Sequence, residues 1–202
     1  MDAAEKLFSL KGYFGASTRE ITREAGVPLG LVSYHFGTKE ELYTSVISRR
    51  AEEHIEALLT SLREVKENAE DGQPALDEII RAFIRPIVER SLHGGEGWKS
   101  YVKLLSRAAN ANRHQPNIEV FTAIYSPVEA EFVELLKARF PDADPEDIYW
   151  SFYFMSSAII HFLVENGSID NLSGGLCQSS DLERVMEKMV PFFEAGMIRL
   201  NG

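Results

Sequence analysis

Tyr34, His35 and Lys39 fall within six residues of one another, and all three side chains end in groups that can donate hydrogen bonds to phosphate oxygens. Gly30 lies about one helical turn before them. On an outward helix face this set suits a nucleic-acid backbone, because donors at the edges position a duplex without reading its sequence. A residue without a side chain marks the point of closest approach. Other chemistries are poorly provided for. The histidines at 35, 54, 93, 114 and 161 never recur at a metal-binding i,i+4 spacing, and neither a G-x-S-x-G nucleophile elbow nor a phosphate-loop string occurs. The glycine-rich "LSGGLC" (172–177) lacks the flanking strand and helix of a phosphate cradle. Cys177 is the one cysteine and forms no internal disulfide or cysteine metal cluster. No catalytic residue, metal or cofactor is therefore expected.

The surrounding elements must hold those donors outward. Apolar residues recur at helical spacing nearly everywhere and period-2 alternation is absent, so the expected fold class is all-α. A first helix spans about 2–11 with Ala4, Leu7, Phe8 and Leu10 inward, and Gly12 stops it. In "STREITREAG", Ser17 and Glu20 form a capping box and Gly26 ends the short helix. Another short helix runs from about Pro28 to Phe36, with Val32 and Phe36 inward. Two short helices joined by a turn fit a helix-turn-helix, whose second helix enters the DNA major groove. Thr38 and Glu41 then open a long helix, with Leu42, Val46, Ile55, Leu58, Leu62 and Val65 on one stripe, ending in "NAEDGQP". Further helices are expected over 75–91, 97–111 and 117–140, the last interrupted at Pro127, and over two strongly apolar segments. A capping box of Ser180 with Glu183 starts the final one. Helices this apolar are buried on more than one side, either in the monomer core or, as the favoured reading, against a second copy.

The net charge of -10 is unevenly spread. Residues 1–50 carry seven Lys or Arg against six Asp or Glu, while 51–202 carry fourteen against twenty-five. The first fifty residues can therefore approach phosphates although the whole chain is acidic. No apolar run nears the roughly 18 residues of a membrane span, and no secretory leader opens the sequence, so a cytoplasmic protein with no membrane partner is expected.

Residues 2 to about 46 resemble the DNA-binding domain of the TetR family of bacterial regulators. "AAEKLFSLKGYFGAS", "REITREAGV" and "YHFGTKEELY" occur in order and at the family's spacing. The resemblance implies a helix-turn-helix domain over 1–46 and an effector-binding and dimerisation domain over 47–202, about nine helices in all. It also implies a homodimer formed through the last two helices, about 145–167 and 181–200, and a double-stranded DNA operator. "DNLSGGLCQSSDLERVMEKMVPFFEAGM" (170–197) is similar to the PsrA-like subgroup, which implies a fatty-acyl effector.

By position, Ser17, Thr18 and Arg19 match the family's contacts at the start of its second helix, and Tyr34, His35 and Lys39 match its phosphate contacts. Leu29, Gly30, Leu31 and Ser33 fall where base-facing side chains sit. Pro28 replaces a frequent Ser cap and Leu29 a frequent Lys. Leu29 and Leu31 are accordingly expected to touch thymine methyl groups, with Arg19 as the bidentate reader of a guanine. Many relatives carry a basic arm ahead of the first helix and "MDAAEKLF" has none, so a moderate salt dependence of binding is expected.

For the small molecule, Arg85, Arg107 and His161 interrupt otherwise apolar helices, and a buried Arg needs an anionic partner. That partner is a ligand carboxylate or phosphate, or an acidic residue of the same chain. His161 reads rather as a hydrogen-bonded core or interface histidine. Trp98, Phe121, Phe132 and Tyr153 line an apolar cavity or simply pack as core. The whole describes a dimeric transcriptional regulator, a repressor released by a small, largely apolar effector. The alternative is a DNA-binding regulator that responds to no effector.

Overall fold

The computed structural model describes residues 1–69, 73–110, 118–163 and 167–202, and every regular element among them is helical. In chain order these are α1 (Asp2–Gly15), α2 (Thr18–Ala25), α3 (Leu29–Phe36), α4 (Lys39–Ser48), α5 (Ala51–Asn68), α6 (Leu76–His93), α7 (Gly95–Ala109), α8 (Ile118–Arg139), α9 (Pro145–Leu163), α10 (Ser168–Leu172) and α11 (Leu182–Asn201). No helix is long and apolar enough to cross a membrane, among the described residues.

The chain divides into two compact units, residues 1–54 with 90–125, and residues 55–89 with 126–202. The first has a core of Ala4, Leu7, Phe8, Ile21, Val32 and Leu42 from the N-terminal helices, packed with Tyr101, Leu104 and Leu105 of α7. Phe8 and Tyr43 meet edge to face at 4.9 Å. Each side chain buried this fully contributes about 1.5–3 kcal/mol. Leu10, expected inward, is exposed: with Leu7 and Phe8 fixing the buried stripe, position 10 falls on the solvent side of α1. Gly12 interrupts helical geometry at φ 69, as a stop there requires, although helical turns resume as far as Gly15.

The second unit buries Leu58, Leu62, Ile79, Ile80, Ile84, Phe132, Leu136, Ile148 and Met155. Phe83 and Phe132 pack at 4.8 Å between ring centroids, and Phe152 lies 5.6 Å from Phe132. The amide of Asn201 on α11 donates to Ser151 Oγ of α9 at 2.8 Å in a buried position.

Three local expectations change. The long helix opening at Thr38 is two helices, α4 and α5, parted at Arg49 and Arg50. There the Arg49 N–H reaches back three residues to Val46 O, and both guanidiniums turn to carboxylates of α1. Pro127 does not interrupt α8: its ring is on the exposed side, and one missing ladder bond does not end a 22-residue helix. The cap of α11 is Asp181, whose carboxylate accepts the Arg184 N–H at 3.1 Å, one residue later than the Ser180 box.

Candidate nucleic-acid interface

Two capping boxes frame the helix-turn-helix. Ser17 Oγ accepts the Glu20 N–H at 3.2 Å while the Glu20 carboxylate accepts the Ser17 N–H at 3.0 Å. Glu20 also takes the Lys11 ammonium at 2.7 Å, and that bond, followed by those from Ser17, brings its carboxyl down to about 2. Gly26 at φ 66 closes α2 in the left-handed conformation, where its N–H bonds to Arg23 O. The second box is Thr38 with Glu41, at 2.7 Å from the Thr38 N–H to the carboxylate. Gly37 sits before it at φ 72, and an added Cβ would run into the Glu41 carboxylate, so the turn into α4 requires glycine.

Between the boxes lies α3, in which Val32 is the one fully buried side chain. Phe36 is half-buried against the same core. All the other positions of α3 are exposed: Leu29, Gly30, Leu31, Ser33, Tyr34 and His35. Tyr34 is 82% exposed, so a large ring stands in water with its hydroxyl outward. It meets His35 edge to face at 5.0 Å, and the pair forms one rim. A Cβ at Gly30 would meet nothing within 4 Å. The glycine is therefore not demanded by the chain's own packing.

Lys39, in the first turn of α4, is half-buried with its ammonium 4.4 Å from the centre of the Tyr13 ring. Burial lowers its pKa. Tyr13 was not singled out in the sequence, yet it seats a candidate phosphate donor, and its place is set by packing against Phe8 and Tyr43 beyond the break at Gly12. Of the α2 positions, Arg19 is exposed and Thr18 half-buried. The Ser17 hydroxyl donates its proton to Glu20 at 2.9 Å, so it holds the helix start.

The six candidate ligand residues fall in both units, Trp98, Arg107 and Phe121 in the first and Arg85, Tyr153 and His161 in the second. Arg85 is exposed on α6, in an i,i+4 pair with Glu89 at 3.2 Å, because the buried face of that helix is carried by Ile80, Phe83, Ile84 and Val88. Tyr153 and His161 are exposed on α9. Arg107 is half-buried, but its Nε–H donates to the Ser9 backbone carbonyl at 2.7 Å, a neutral partner where an anion was expected. Trp98 and Phe121 pack on the first unit's core.

Around Trp98 the structure adds residues that the sequence reading passed over. Buried His54 accepts the Arg90 Nε–H at its Nδ1, at 3.2 Å. Arg90 also donates to Glu53 O at 2.8 Å, and its guanidinium lies 4.2 Å from the Trp98 ring centre. Burial, then the Arg90 charge, depresses the His54 pKa to about 3. Tyr101 donates to Ile47 O at 2.6 Å, and the buried Tyr125 hydroxyl lies beside the Tyr101 hydroxyl. Burial raises the Tyr125 pKa well above the ordinary value. The signal for His54 was its place one turn before Leu58 and two before Leu62, on the apolar stripe.

Comparisons with known proteins agree with this geometry. Residues 1–46 match the family described as bacterial regulatory proteins, tetR family, and residues 81–196 match the tetracyclin repressor-like C-terminal domain. The chain is 32% identical over 84 residues to the HTH-type transcriptional regulator LmrA of Bacillus subtilis, covering 41% of this chain and 45% of that protein. It is 32% identical over 81 residues to the HTH-type transcriptional activator FasR of Mycolicibacterium smegmatis, covering 40% of this chain and 35% of that one. The matched stretches thus span less than half the length of these relatives. Among solved structures, the multidrug binding protein EbrR complexed with malachite green superposes with a TM-score of 0.57 at 18% identity, over 100% of this chain and 95% of that one. The chain belongs to the TetR family of bacterial transcriptional regulators, which are DNA-binding proteins rather than enzymes.

Proposed function

We propose that the protein is a cytoplasmic, homodimeric repressor that places α3 of each subunit in successive major grooves of an operator and is released by a small, largely apolar effector. The carrying observation is the face of α3: one side chain anchors the eight-residue helix, and six positions face outward. Two recognition helices related by a two-fold axis are spaced about 34–36 Å apart on such DNA. Ser17, Thr18 and Arg19 contact DNA from the start of α2. Tyr34, His35 and Lys39 hold phosphates, while Leu29, Gly30, Leu31 and Ser33 meet base edges. The functional division lies near residue 46, with DNA recognition before it and effector binding and dimerisation after it.

Dimerisation through α9 and α11 is supported by their exposed apolar side chains: Tyr149, Trp150, Tyr153 and Phe154 on α9, and Phe192 and Ile198 on α11. Trp150 and Phe154 stack at 5.6 Å, a preformed aromatic surface of the kind that dimer interfaces bury. Tyr153 is thus assigned to the interface rather than to a cavity. The effector reading rests on EbrR, solved with malachite green, and on the likeness of 170–197 to the PsrA-like subgroup, which favours a fatty-acyl molecule. Trp98, Phe121, Arg107 and the buried Tyr125 hydroxyl are the proposed effector-side residues of the first unit, and Arg85 and His161 those of the second. A ligand shifts operator affinity only by its differential affinity for the two conformations.

The test is selection of bound duplexes from a random DNA pool at two salt concentrations, followed by titration of fatty acyl compounds against the selected site. An enriched near-palindrome whose complex dissociates on titration establishes the reading. A palindrome with affinity indifferent to every compound identifies an effector-independent regulator, and no enrichment at either salt refutes operator recognition.

A further inference from the structure

An open groove of about 800 Å³ lies within the first unit, walled by α1 and α7. Most of the charge along it is already matched. Glu5, 2% exposed, takes the Arg50 Nε–H at 3.2 Å and lies 3.9 Å from Arg49, which is also bound to Asp2. Gly97 makes room for this arrangement, since a Cβ there would come within 2.7 Å of the Arg50 guanidinium. Lys6 reaches out of the groove to Glu24 at 2.6 Å. What remains is Lys99 and Lys103, both lining the groove and neither in an ion pair or hydrogen bond among the described residues, with Glu96 as the other unmatched charge. In a chain of net charge -10, two ammonium groups facing a single unmatched carboxylate leave this wall with a local excess of positive charge.

We infer that this groove binds a diphosphate-bearing small molecule through Lys99 and Lys103. Residues at i and i+4 on a helix stand about 5–6 Å apart at their Cβ atoms, so the two ammonium groups can each take one phosphoryl group of a diphosphate. A lone carboxylate would engage one of them. The volume falls in the roughly 300–1,000 Å³ range of small-molecule sites, and Leu10, 54% exposed on the facing wall, offers an apolar surface to the rest of the molecule. The site uses none of the residues assigned above to the operator or the effector. Its test needs neither of those partners, so the two readings fail separately.

Inorganic pyrophosphate and ADP are titrated by calorimetry into the full chain at constant ionic strength, with sodium sulfate as the blank. The proteins compared are wild type, K99Q, K103Q, K99Q/K103Q and, as a control from the second unit, K66Q. Saturable binding of pyrophosphate that weakens about tenfold or more in the double variant, and not in K66Q, is expected from two lost charge-assisted bonds. Tighter binding of ADP identifies a nucleotide-borne diphosphate, and equal binding the free group. The single variants carry the comparison if the double variant does not fold. The inference is overturned if wild type shows no saturable binding, if sulfate binds as well, or if the lysine variants bind like wild type.

Discussion

Replacing His54 with asparagine should flatten the acid side of the protein's stability profile. His54 is buried and neutral, with its pKa held at about 3 against an ordinary value near 6.5. Between those limits the unfolded chain takes up a proton that the folded chain refuses. Folding stability is therefore lost as pH falls below about 6.5 and is unaffected by this group above about pH 7. One proton changes the unfolding free energy by about 1.4 kcal/mol per pH unit once the unfolded imidazole is fully protonated, so lowering the pH from 7.5 to 5.0 removes about 2 kcal/mol through His54 alone. Asparagine keeps an acceptor for the Arg90 Nε–H and cannot be protonated in this range. Urea unfolding of wild type and His54→Asn, at one fixed protein concentration and at pH 7.5, 6.5, 5.5 and 5.0, measures the difference. Carboxylates such as Glu20 and Asp2, whose pKa values are lowered, affect both proteins alike. Parallel profiles for the two proteins would refute the claim that His54 is buried as the neutral base.

Thr38→Ala should cost about 1 kcal/mol by removing the side-chain half of the α4 capping box, read as a lower urea midpoint with unchanged slope. Lys39→Gln should weaken operator binding about equally for all sequences and reduce the salt-dependence slope by about 1, as the loss of one phosphate contact requires; an unchanged slope would remove Lys39 from the contact set. Leu29→Lys should change the preferred base at the positions α3 faces, since an exposed methyl contact is exchanged for a guanine-seeking donor. Duplex selection with that variant checks it, and an unaltered consensus would argue against thymine-methyl readout.

Features made by neighbours in sequence were legible without the structure. The Ser17–Glu20 and Thr38–Glu41 boxes, the left-handed Gly26 and the inward Val32 depend on three or four residues each, and local geometry decides them. That is also why the outward set of α3 could be read: once Val32 and Phe36 face the core, helical periodicity places Tyr34 and His35 outside. Where two local signals competed, the reading slipped by a residue or an element. Asp181 outcompeted Ser180 as the α11 cap, and Pro127 did not end α8.

Tertiary structure decided what depends on partners far along the chain. Arg90 lies 36 residues from His54, and Arg107 lies 98 from Ser9. No periodicity reports that Arg107 answers a backbone carbonyl, that Arg85 stays in solvent, or that Trp98 receives the Arg90 guanidinium. A polar residue on an apolar helix has the same sequence signature whether its partner is a ligand, a carbonyl or water. Only packing chooses among them, because the cost of burying such a group is set by the atoms that close around it. By itself the sequence determined an all-helical chain of the TetR family and the outward face of α3. The break at Arg49 and Arg50, the environment of His54 and the groove between α1 and α7 were decided by contacts between segments distant in sequence.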